Sequence, residues 1–75
     1  MTLKNLLNTM NFNNQVRIYI HNENKDELIL IFKGTSENAI KYFNGVDKTL
    51  YGIVEFINVS KDYETNAPAL SIVME

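Results

Sequence analysis

Residues 28–32 read Leu-Ile-Leu-Ile-Phe, apolar at every position. Periodicity alone does not separate a buried strand from a buried helix in such a run. Its short length and two isoleucines favour a strand covered on both faces. The chain has 75 residues, and a domain this small buries a thin core. A doubly covered strand therefore needs more covering layers than such a chain easily supplies.

The run just before it behaves differently. Across residues 15–22, Val16, Ile18 and Ile20 share one parity, while Arg17, Tyr19 and His21 share the other. This alternation is that of a half-buried strand. The intervening Asn-Glu-Asn-Lys-Asp, residues 22–26, is a polar turn, so the two runs form a β-hairpin.

The remaining segments complete an α+β pattern. Leu3, Leu6, Leu7 and Met10 lie at i, i+3, i+4 and i+7, one face of a short amphipathic helix with Thr2 as its N-cap. Asn11, Asn13 and Asn14 break that helix, and Phe12 between them is expected to fold back onto the core. After Gly34, Ser36 is the expected N-cap of a second helix over residues 36–44, with Ala39, Ile40 and Phe43 as its apolar stripe and Gly45 at its C-terminal cap. Residues 50–59 predict a longer strand, apolar on both faces except at Glu55. A turn-rich loop follows over residues 60–68, then a last strand over residues 69–74 with Leu70, Ile72 and Met74 on one face. The expected fold is a single α+β domain over residues 1–75, in the order α-β-β-α-β-β. It has a mostly antiparallel four-stranded sheet and two short helices.

If the helices cover one sheet face, the two strands that are apolar on both parities leave Ile29, Ile31, Ile53 and Ile57 wet on the other. Contiguous apolar patches mark interfaces, and a symmetric dimer is the commonest closure. The sequence thus predicts a homo-oligomer, a dimer or higher, with these four isoleucines in self-association. The row of Arg17, Tyr19 and His21 would rim the seam.

Composition narrows the chemistry. There is no Cys, so disulfides and thiolate metal sites are absent. A single His with scattered carboxylates makes neither a zinc site nor a catalytic triad. The acidic cluster Glu23, Asp26 and Glu27 lacks a calcium-loop spacing, and Asp62 and Glu64 read as a solvated turn. No metal, no cofactor and no enzyme activity is expected. A net charge of -2, from 7 basic and 9 acidic residues, argues against duplex nucleic acid as a partner. No apolar run approaches the length of a membrane span, and the N-terminal segment lacks a signal-peptide layout, so the expected location is the cytoplasm. Asn occurs 11 times, Ile 8 times and Ala 3 times, a bias that AT-rich codon usage accounts for.

Two residue sets remain as candidate ligand contacts. One is Arg17, Tyr19 and His21. The other is Lys33, Thr35, Ser36 and Lys41 around the strand-to-helix junction, where free amides and the helix dipole favour an anion. The junction lacks the Walker spacing of Gly and Lys, and Ser36 as a plain N-cap after a strand-ending Gly accounts for it more simply. Tyr42, Tyr51 and Tyr63 offer base stacking if they share a cleft, with Lys33, Lys41 and Lys48 near the second helix for phosphates.

The opening Met-Thr-Leu-Lys-Asn-Leu-Leu, followed by Asn-rich residues and the strand beginning at Val16, resembles small phage and prophage proteins of low-GC Gram-positive bacteria. Those begin with a Lys-Leu-Leu helix, a polar break and a Val/Ile-rich strand. The matching residues are Leu3, Lys4, Leu6, Leu7, Val16 and Ile18. The resemblance covers the first quarter of the chain and carries no site residues. It implies a phage setting, in which proteins of this size often inhibit host defence. Two functions follow as expectations: sequestration of a nucleotide immune signal by a homo-oligomer, or direct binding of a host protein as an inhibitor or adaptor.

Overall fold

The computed structural model describes residues 1–10, 14–22, 24, 26–43, 48–62 and 67–75. Helix α1 spans Leu3–Asn8, strand β1 Gln15–Asn22, strand β2 Glu27–Thr35 and helix α2 Ser36–Phe43. A 3-10 turn at Lys48–Tyr51 leads to strand β3, Val54–Asp62, and strand β4, Ala67–Met74. The expected positions of Phe12, Glu23, Gly45 and Tyr63 lie outside the described residues.

The four strands form one sheet in the order β2-β1-β4-β3. β1 pairs antiparallel with β2, and β3 antiparallel with β4. At the centre, β1 and β4 run parallel, with Ile18 beside Ile72. The sheet is therefore mixed, which corrects the expectation of a mostly antiparallel one. The reason is connectivity. The chain forms two hairpins, and α2 carries it from one to the other. That helical crossover lets the second hairpin dock with its last strand parallel to β1, as crossover connections do. β4 suits the centre because it is apolar on both faces, with Ile72 and Met74 on one side and Ala69 and Val73 on the other, all buried.

One sheet side carries the helices. Val16, Ile18, Ile72 and Met74 pack there against Leu3, Leu6 and Leu7 of α1, Ala39 and Phe43 of α2, and Leu50 of the 3-10 turn. The helix patterns behave as their spacing demands. Leu3, Leu6 and Leu7 are buried, and the Thr2 hydroxyl accepts from the Asn5 amide at 3.2 Å. Phe32, Tyr42 and Phe43 form an aromatic cluster, with the Tyr42 and Phe43 rings edge-on at 5.0 Å.

Three local expectations change. First, Thr35 rather than Ser36 caps α2: its Oγ1 accepts from the Asn38 amide at 3.2 Å. Ser36 is fully buried and its amide donates to the Asn14 carbonyl at 2.9 Å. Second, the predicted strand over residues 50–59 begins late. Gly52 turns the chain, its amide donating to the Thr49 carbonyl at 3.0 Å, so Leu50 drops into the core from the 3-10 turn instead of joining the sheet. A Cβ at Gly52 would lie 2.8 Å from the Met74 methyl and 3.2 Å from the Thr49 carbonyl, so a side chain there would have to displace the end of the flexible Met74 chain. Third, β2 is an edge strand and is not covered on both faces. Leu28, Ile29 and Leu30 are each close to half exposed.

The isoleucines expected to share the uncovered face do not share one. Ile29 stands opposite Ile20, and Ile57 opposite Ile72, which places both on the helix-bearing side. Ile31 falls at a bulge, where the register shifts between Ile18 and Tyr19, and packs against the core. Ile53 bridges to Thr2 before β3 begins. A bulge inserts one residue and reverses the parity after it, so simple alternation along these strands misplaces half of each.

Candidate functional site

The other sheet face has no helix over it among the described residues, and the pairing registers fix what it displays. Lys33 lies opposite Arg17, Arg17 beside Ser71, and Ser71 opposite Asn58. These four residues make one polar row across all four strands. Strand spacing gives the row a length of about 14 Å. The neighbouring row runs Leu30, Tyr19, Val73 and Phe56. Val73 at its centre is buried, while Leu30 and Phe56 at its ends are half exposed. Beyond it, Leu28 stands opposite His21.

His21 closes this end of the face. Its Nε2 lies 3.4 Å from Asp26 Oδ1 and its Nδ1 3.4 Å from Glu55 Oε2. Glu55 sits at the β3 bulge, so the imidazole links the β1–β2 hairpin to β3 past the end of β4. Asp26 adopts φ of 48° in the turn, a left-handed conformation that Asp tolerates better than most residues. Contacts to both ring nitrogens give His21 a bridging role in the fold. Carboxylates on opposite sides of the ring do not build a metal centre, and no three His, Asp or Glu residues converge for one among the described residues.

The structure separates the two candidate sets. Arg17, Tyr19, His21 and Lys33 share the uncovered face. Lys41 and Tyr42 belong to α2 on the other side, where Lys41 Nζ lies 3.5 Å from Glu37 Oε1 and Tyr42 packs on Phe32 and Phe43. Thr35 is engaged as the α2 cap and Ser36 is buried, so the helix start does not present an open anion site. Tyr51 lies near Lys4, whose Nζ is 5.6 Å from the ring centroid. The sequence reading missed Ser71, Asn58 and Phe56. Their parity was visible, but their adjacency to Arg17 and Tyr19 depends on the β1–β4 pairing.

A pocket of about 200 Å³ lies elsewhere, between Met10 and Asn14 on one side and Val59 and Leu70 on the other. It is smaller than typical small-molecule sites of roughly 300–1,000 Å³. No helix among the described residues is long and apolar enough to cross a membrane. No family model, curated protein or solved structure matches this chain.

Proposed function

We propose that the protein is a non-catalytic binding protein of phage type, acting as a homo-oligomer, that sequesters a nucleotide immune signal on its uncovered sheet face. The observation that carries this reading is the registration of a cationic row against an aromatic one. Arg17 and Lys33 are neighbours across β1 and β2, and Tyr19 and Phe56 occupy the adjacent row. Guanidinium and ammonium groups bind phosphate through charge-assisted hydrogen bonds. Aromatic rings stack on bases with little dependence on sequence. The two rows are separated by two residues along a strand, about 6.7 Å, so one ligand spans phosphate and base contacts together. Ser71 and Asn58 supply neutral donors and acceptors in the phosphate row.

The test is native mass spectrometry and calorimetry with a panel of cyclic oligonucleotides and NAD-derived nucleotides. One nucleotide retained at fixed stoichiometry, released unchanged on denaturation and lost in Arg17→Ala, is the expected result. Full affinity in Arg17→Ala, or no binding across the panel, overturns the reading.

A second reading follows from Leu28, Leu30 and Phe56, which leave apolar surface on the same face. Such surface suits direct docking of a host protein as inhibitor or adaptor. Recovery of one defence protein at fixed stoichiometry by the wild type, but not by Phe56→Asp, favours this reading.

A further inference from the structure

We propose that the free edge of β3 is the seam of a symmetric dimer, pairing residues 56–62 of two copies antiparallel about a two-fold axis at Val59. The proposal names the surface through which the oligomer forms, and it rests on the homo-oligomer of the reading above.

The sheet has two outer strands, and they differ. β2 carries its bulge at Ile31, in mid-strand, and a bulge blunts an edge by interrupting its ladder. On β3 the bulge lies at Glu55, near the start. The N-terminus covers the edge before it: the Leu3 amide donates to the Gly52 carbonyl at 3.1 Å and the Val54 amide to the Met1 carbonyl at 2.9 Å. The edge left open among the described residues is therefore the regular stretch over residues 56–62. Its centre is Val59, 69% exposed and the most exposed of the large apolar residues.

An antiparallel pairing centred on Val59 uses the whole stretch and stops short of Met1. It sets Val59 against Val59 of the second copy, and Ile57 against the aliphatic stem of Lys61 of the second copy. The Lys61 stem thus covers Ile57 from across the seam on the helix-bearing side, and the symmetry supplies this contact twice. Sliding the register by one residue would turn apolar side chains against polar ones. Because a perpendicular two-fold axis keeps like faces together, the helices of both copies lie on one side. The two uncovered faces merge into one surface on a sheet built from two sets of four strands. A seam made of one strand edge per copy buries less than the roughly 1,200–2,000 Å² of a stable interface, so the dimer is reversible and concentration dependent.

The chain contains no Cys, so a single introduced thiol reports the axis. Directly opposed antiparallel residues lie about 4.5–5.5 Å apart, within disulfide range. Under mild oxidation at equal concentration, Val59→Cys is expected to form a covalent dimer at least tenfold faster than Asn38→Cys, on the exposed face of α2. Val59→Lys, which keeps the fold because the site is exposed, is expected to weaken the sedimentation dimer at least tenfold. Equal cross-linking rates at the two positions, or faster cross-linking of Ile29→Cys on β2, overturn the seam. A wild-type dimer with either result leaves the oligomer standing and removes only this surface. A wild-type monomer at every accessible concentration removes both.

Discussion

Arg17 stands directly opposite Lys33 across the antiparallel β1–β2 ladder. The pairing sets two cationic side chains side by side, so one bound anion can contact both at once. The same pair heads the polar row that runs through Ser71 to Asn58. This arrangement makes the uncovered face the part of the protein most directly open to test.

Anion binding should stabilise the fold by mass action. Millimolar pyrophosphate is expected to raise the wild-type Tm, measured by differential scanning fluorimetry against chloride at matched ionic strength. The rise should be smaller in Arg17→Ala and in Lys33→Ala. An equal rise in all three proteins would place the anion elsewhere.

The two candidate tyrosines make opposite predictions. Tyr19 lies in the aromatic row, while Tyr42 packs on Phe32 and Phe43 behind the sheet. Tyr19→Ala should lower affinity for the retained nucleotide about tenfold, given about 1–3 kcal/mol per stacked base. Tyr42→Ala should leave affinity unchanged. Calorimetry on both variants decides the matter.

Thr35, not Ser36, is the α2 cap. Thr35→Ala should cost about 1 kcal/mol, and Thr35→Asn should recover most of it. Urea unfolding monitored by circular dichroism measures both. Loss of stability in Thr35→Asn equal to that in Thr35→Ala would contradict the cap.

Gly52 packs where no side chain fits without movement. Gly52→Ala should cost no more than about 1 kcal/mol, the low end of overpacking, since its Cβ meets the movable Met74 methyl and only grazes the Thr49 carbonyl. Thermal unfolding gives the value. Removing mid-sheet bulk by Ile72→Ala should cost more, about 2–5 kcal/mol, because Ile72 is fully buried.

Breaking the His21 contacts should matter less. The side chain is 26% exposed and Glu55 36% exposed, and partly solvated ion pairs contribute little. His21→Ala should change global stability by under about 1 kcal/mol. Amide exchange at the hairpin end should still accelerate, because the link between β1 and β3 is gone.

Much of the local structure was legible from spacing. The i, i+3, i+4 pattern of Leu3, Leu6 and Leu7 determined the buried face of α1. The alternation from Val16 to His21 determined which side chains of β1 enter the core, and the polar turn determined the hairpin. These signals are short-range, set by 3.6 residues per turn and the two-residue pleat. The isoleucines show where that reading stopped. Parity along β2 and β3 is broken by bulges at Ile31 and Glu55, and alternation carries no record of an inserted residue. Ile29 and Ile57 therefore lie on the helix-bearing side.

The candidate face was legible only in part. Arg17 and Tyr19 were marked by their polar parity beside an apolar run, whereas Ser71, Asn58 and Phe56 joined them only through strand order. By itself the sequence determined the two helices and four strands in outline, the core-facing residues of α1 and β1, and the lack of thiol chemistry, but not the 3-10 turn or the bounds of β3. The tertiary structure decided that β1 and β4 lie side by side and parallel. That choice depends on how two hairpins and a crossover helix bury their apolar faces together. It is a property of long-range packing, and no window of local periodicity contains it.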